Sequence, residues 1–209
     1  MNIIQAPIKD VGIGFAKNVH NLSVIREPAC AVALCQQQPD LEILEWFDQL
    51  DPNCLPKARL ILRPDRVNQV LQEICDVSGP PDCEVRKLLI NDVTDLANAF
   101  ADFMKAVHIR LRFDVVTTNA CRKFHIDAVT ARLICTYRGT GTQYGYAIGQ
   151  SEPNHVFTAP TGSPIILRGT LWPEFPKADI LHRSPPIEGT GEYRSVLVID
   201  PIFDLETAD

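Results

Sequence analysis

Apolar positions along the chain follow two rhythms, and the change between them falls near residue 107. Before it the spacing is helical. LEILEWFDQL, residues 41–50, repeats apolar residues at helical intervals. In DRVNQVLQEICD, the residues Val67, Val70, Leu71, Ile74 and Cys75 fall at i, i+3, i+4, i+7 and i+8, which is one face of a helix. Ser78-Gly79-Pro80-Pro81-Asp82 then breaks the chain. A further helix is predicted to begin near Asn91 or Asp92, either of which can cap it. Its face would be Val93, Leu96, Phe100, Phe103, Met104 and Val107. Such stripes are read as packing surface, not as contacts to a cofactor.

From His108 onward the period becomes two. IRLRFDVVTT alternates, while RLICTY, PIILRG and RSVLVID are short runs rich in β-branched residues. Turn chemistry separates them at Gly139-Thr140-Gly141, Pro160-Thr161-Gly162, Pro185-Pro186 and Gly189-Thr190-Gly191. The glycines of RGTGTQYG read as a hairpin turn, because no lysine followed by serine or threonine makes them a phosphate loop. The prediction is an α+β chain. Residues 1–106 form a mainly helical part, packed against a jelly-roll, cupin-like barrel formed by residues 107–209, all in one compact domain.

Composition narrows the partners. With 45% apolar and 22% charged residues the chain reads as an ordinary soluble globule, and its net charge of −6 argues against a broad basic face for nucleic acid. MNIIQAPIKDVGIG has no secretion pattern. The most apolar window, Ala29–Cys35, is far shorter than the roughly 18 residues a membrane span needs. A cytoplasmic protein without a membrane or nucleic-acid partner is expected. Seven cysteines include no C-x-x-C pair, so free thiols are expected and not a cysteine-built zinc site.

Candidate chemistry begins at FHIDAVTARLICTYRG, residues 124–139. His125 and Asp127, two apart, project to one side if the segment is a strand. An imidazole and a carboxylate so placed bind a divalent ion side by side. One further histidine completes a facial triad with three positions open, the geometry of non-haem Fe(II) oxygenases. His182, in ADILHRSPP, is best placed to be that ligand, since it follows a short apolar segment one strand before the end of the core. H-x-D alone also fits a surface turn or a satisfied core histidine. Cys121 shares the parity of His125, which leaves a zinc site including that thiolate as an alternative. Arg194, with Ser195 beside it, lies twelve residues after His182 and opens the last apolar strand.

This order of FHID, RLICTYRG, PTGSPIILRG, ILHRSPP and GEYRSVLVID resembles the double-stranded β-helix of Fe(II)/2-oxoglutarate-dependent oxygenases over residues 107–200. It is most similar to the prolyl-hydroxylase-like branch, with its proline-glycine turn before the distal histidine and a glycine shortly before the arginine. Along most of its length the chain also resembles a bacterial family of no assigned activity, marked by FH[IV]D, CTYRG and HRSPP blocks. The oxygenase resemblance implies that His125, Asp127 and His182 hold Fe(II) and that Arg194 grips the far carboxylate of 2-oxoglutarate. Planar, two-pronged recognition of a carboxylate suits arginine far better than lysine. Either Tyr137 or Arg132 could assist, and Tyr137 is preferred because it shares parity with Leu133 and Cys135. Ser195 would point away from Arg194. Arg183 is a further candidate for holding an anion beside the distal ligand. The substrate, a small molecule or a side chain, would be hydroxylated or demethylated. The rival is a cupin-like module that binds a divalent metal without turnover, and Arg194 separates the two. A zinc hydrolase would need a base such as H-E-x-x-H provides, and none is present.

Overall fold

In the computed structural model, which describes residues 12–205 apart from 29, 38, 148–151 and 174–178, ten strands fall into two sheets. They are β1 (Ile13–Ala16), β2 (Val32–Cys35), β3 (Ala58–Leu62), β4 (His108–Val116), β5 (Ala131–Arg138), β6 (Gln143–Tyr146), β7 (Phe157–Thr158), β8 (Ile165–Arg168), β9 (Ile180–Arg183) and β10 (Arg194–Ile202). The larger sheet runs β1-β2-β8-β5-β10-β4-β3 and the smaller runs β7-β6-β9. Apart from the parallel pair β1–β2, the pairings are antiparallel. Helices α1 (Leu41–Gln49), α2 (Val67–Ser78) and α3 (Glu84–Met104) cover one face of the larger sheet.

Alternation in the strands explains the layering. On β4, Ile109, Leu111 and Phe113 turn toward the helices, as do Leu133, Cys135 and Tyr137 on β5 and Leu197 and Ile199 on β10. The opposite positions, Ile134, Val196 and Val198, join Tyr144 and Ile180 of the smaller sheet in a second apolar cluster. β10 is thus buried on both faces, which is why RSVLVID reads as a nearly unbroken apolar run. Phe47 of α1 is fully buried and stacks on Tyr137 and Phe113 at ring-centroid distances of 5.3 and 6.2 Å.

One expectation is extended and two are revised. The mainly helical first part also supplies β1, β2 and β3, which extend the larger sheet. VALC and ARLIL are four or five residues long, too short for periodicity to separate strand from helix. Helix α3 begins at Glu84, well before Asn91. Its first turns are polar in sequence, but Arg86 is buried there against Asp76 and the carbonyl of Pro80. Finally, the glycine-rich turn after β5 does not close a hairpin within one sheet. It carries the chain from the larger sheet to β6 of the smaller.

That crossover needs Gly141, where a Cβ would come within 1.9 Å of the Ala159 carbonyl oxygen. Gly141→Ala is therefore expected to cost about 1–3 kcal/mol of stability. A lowered urea midpoint at unchanged slope would show it, and an unaltered midpoint would show the crossover has room. All seven cysteines are free. Among the described residues no helix is long and apolar enough to cross a membrane.

Candidate metal centre

His125 lies outside the named strands and is held by a single antiparallel bridge to β9. Its N–H donates to the carbonyl of His182 and the N–H of His182 donates back, both at 3.0 Å. The bridge brings the two imidazoles to 4.5 Å between ring centroids. Asp127 is fixed by the end of β8, where Thr170 N–H donates to its carbonyl at 2.9 Å and Gly169 N–H donates to the Thr130 carbonyl at 3.0 Å. Only a glycine permits this approach, since a Cβ on Gly169 would stand 1.8 Å from the Val129 carbonyl oxygen.

His125, Asp127 and His182 each present one ligand atom, and these atoms lie within 4.8 Å of one another. Asp127 Oδ2 is 2.9 Å from His182 Nε2, and Oδ1 is 3.5 Å from His125 Nε2. Nδ1 of His125 sits 2.8 Å from the Lys123 carbonyl oxygen. A carbonyl only accepts, so the proton is on Nδ1 and the lone pair of Nε2 faces the cluster. Burial pushes the His182 imidazole below its ordinary value, against the pull of Asp127, which favours the neutral, ligating form. Burial also pushes the Asp127 carboxyl upward, but His182 and Arg132 outweigh it and hold the group well below the usual carboxylate range.

Asp127 Oδ2 is buried yet accepts no well-directed hydrogen bond, although Arg132 NH1 is 2.6 Å away. The short contacts to Arg132 and His182 are within ionic distance. An ionised carboxylate with an unspent buried oxygen, flanked by two imidazoles, fits a divalent cation. Cys121 is exposed and outside the cluster, so the donor set is nitrogen and oxygen without thiolate.

Behind the cluster stands a charge network that sequence reasoning missed. Arg132 donates from Nε and NH2 to the two carboxylate oxygens of Asp200 at 2.6 and 2.8 Å while also touching Asp127. Asp200 is only 1% exposed, and Arg112 approaches it at 3.4 Å. The available signal was parity. Arg132 shares the face of Ile134, which lines the space between the sheets.

A cavity of about 120 Å³ between the sheets is lined by His125, His182, Arg132 and Arg194 among others. Arg194 is 3% exposed, and its Nε donates to the Thr140 carbonyl at 2.9 Å. NH2 donates to the hydroxyls of Thr142 and Thr136 at 2.7 and 3.2 Å. No carboxylate among the described residues lies within ionic distance of it. Burial pushes its guanidinium down to about 10, only partly offset by Glu192.

Tyr137 does not face this cavity. Its hydroxyl donates to Asp92 of α3 on the helix side of the sheet. The apolar parity that favoured it marks the face packed on the helices, and Arg132 occupies the cavity face instead. A larger cavity, about 340 Å³, opens around Asp92 and Tyr137 and holds none of the three clustered side chains. Arg183 borders the smaller cavity, but its Nε donates to Gln143 at 2.9 Å and its guanidinium lies 4.3 Å over the Phe124 ring. Ser195 is fully buried, and its hydroxyl has no hydrogen-bond partner.

The arrangement of helices over a large sheet with a smaller sheet opposite it is shared with solved structures. The dioxygenase for auxin oxidation 1 from Arabidopsis thaliana, in a complex with 2-oxoglutarate, superposes with a TM-score of 0.51 at 10% identity, covering 94% of each chain. The rice dioxygenase for auxin oxidation gives a TM-score of 0.53 at 10% identity, over 92% of this chain and 83% of that one. At such identity the likeness is one of fold. No curated protein matches the chain in sequence. The chain belongs to the family described as protein of unknown function (DUF1826), whose pattern matches residues 16–200.

Proposed function

We propose that the protein is an Fe(II)/2-oxoglutarate-dependent oxygenase that hydroxylates or demethylates a small molecule or a side chain. The observation that carries this reading is Arg194, a buried guanidinium without a carboxylate in ionic contact, in the cavity lined by His125 and His182 of the cluster. A buried cation is costly unless an anion meets it. A module that merely holds metal has no use for such a group.

On this reading β4 to β10 form the two halves of a double-stranded β-helix, β1 to β3 extend its larger sheet, and α1 to α3 brace its outer face. His125 Nε2, Asp127 and His182 Nε2 would hold the iron. Arg194, positioned by Thr136, Thr140 and Thr142, would take the distal carboxylate of the cosubstrate. Iron with 2-oxoglutarate supplies oxygen activation, one oxygen atom going to the substrate and the other to succinate as carbon dioxide leaves. Arg132 keeps Asp127 ionised and in place through its hold on Asp200. Val196, Val198 and Ile134 keep the cavity floor apolar and exclude water.

The test is anaerobic titration of 2-oxoglutarate into Fe(II)-loaded protein, read by the visible charge-transfer band of the chelate. Arg194→Ala is expected to weaken 2-oxoglutarate binding roughly 10- to 100-fold while leaving iron affinity intact. Arg194→Lys should recover only part of it, because the ammonium lacks the fork. Saturable iron binding with no response to 2-oxoglutarate in the unmodified protein would refute the oxygenase reading.

A further inference from the structure

Arg112 is a second arginine facing the cavity that the roles above leave unused. It stands on β4 opposite Val198 of β10, whereas Arg194 stands opposite Val116, so the two lie four residues apart along the strands. At the usual rise they are roughly 13 Å apart, at different ends of the cavity floor.

Arg112 is also poorly satisfied. Its Nε is buried without a hydrogen-bond partner, and its one ionic contact among the described residues is Asp200 at 3.4 Å. Asp200 accepts from Arg112 NH2 at that distance but more closely from Arg132, at 2.6 and 2.8 Å, so the contact to Arg112 is the weakest of the three. Burial, then the neighbouring Arg132 cation, pushes Arg112 below its ordinary value, and Arg59 on β3 adds to this. Asp200 and then Asp114, on the same face two residues on, partly offset the effect, Asp114 without reaching ionic distance.

Arg112, Arg132, Arg183 and Arg194 line the cavity, and the carboxylates acting on them include Asp114, Asp127, Asp200 and Glu192. A buried N–H donor beside like charges is worth most to an acceptor that is itself charged.

Resting on the oxygenase reading, we propose that Arg112 recognises the substrate and that the substrate carries an oxyanion, a carboxylate or a phosphate. Arg112 Nε–H and one terminal nitrogen would grip it beside the histidine–aspartate cluster. The group to be oxidised would then lie a few bonds from that anion, since cluster and Arg112 share one small cavity.

The test uses acetate and inorganic phosphate as probes, with acetamide as the neutral control. Each is titrated calorimetrically into metal-free protein and into anaerobic protein holding Fe(II) and saturating 2-oxoglutarate. Saturable binding of acetate or of phosphate is expected in the loaded protein, none of acetamide, and whichever anion binds identifies the oxyanion. Arg112→Gln should weaken that binding at least about tenfold. Arg112→Lys should retain part of it. Neither variant should change iron affinity or the 2-oxoglutarate-dependent band, which also shows that both remain folded. Anion binding should persist in Arg194→Ala. Equal binding in wild type and Arg112→Gln, or a loss confined to Arg194→Ala, would place the anion elsewhere and overturn the proposal, as would no saturable binding in wild type. Failure of the oxygenase reading is separate: it shows as a missing charge-transfer band, with the metal-free titrations still reporting on Arg112.

Discussion

Replacing His182 with alanine is expected to abolish iron(II) binding at micromolar metal while leaving the fold intact. The imidazole is 6% exposed, its Nε2 lies 2.9 Å from Asp127 Oδ2, and burial keeps it neutral. Loss of an outer partner of a metal site typically costs roughly 10–100-fold in affinity, and loss of a ligand should exceed that. The bonds that tie β9 to His125 are made by the backbone, so they survive the truncation. Equilibrium dialysis of Fe(II) against wild type and variant, alongside circular dichroism, separates lost ligation from lost structure. A variant that retains wild-type iron affinity would remove His182 from the site.

The second large effect concerns stability. Asp200→Ala is expected to destabilise the protein by about 3–5 kcal/mol, the range for breaking a buried ion pair from one side. The carboxylate is the common partner of Arg132 and Arg112, whose side chains are 16% and 20% exposed. Without it both guanidiniums face one another across an apolar floor. Asp200→Asn should cost less, since the amide oxygen still accepts from Arg132. In a chain of this size the alanine variant should melt on the order of 10 °C lower. A shift under about 1 kcal/mol would mean that water or another carboxylate takes over.

Much of the site was legible because its parts are local. H-x-D, the apolar run before His182 and the arginine opening the last strand are each visible within a few residues. Their meeting point is three-dimensional, and the structure supplies it through the bridge between His125 and His182. What escaped is instructive about parity. The sheet is covered on both sides, so its apolar face was taken for the interior of the site, and Tyr137 was chosen with it. That face packs on α1 and α3, while Arg112, Arg132 and Asp200 lie on the opposite face, beneath the cluster. The pairing of Arg132 with Asp200 spans 68 residues, and no local pattern announces it. Helices α1 and α2 were readable from their stripes. Strands β1 to β3 were too short, and a buried arginine disguised the start of α3.

The bridge between positions 125 and 182 has a bearing on biosynthesis. As the chain leaves the ribosome, the first imidazole and its neighbouring carboxylate emerge about 57 residues ahead of the second imidazole. Closing so long a span carries an entropic toll that β5 through β8 repay only by pairing first. On the oxygenase reading the three-ligand site would therefore be completed late, and a nascent polypeptide halted before β9 would present only His125 and Asp127.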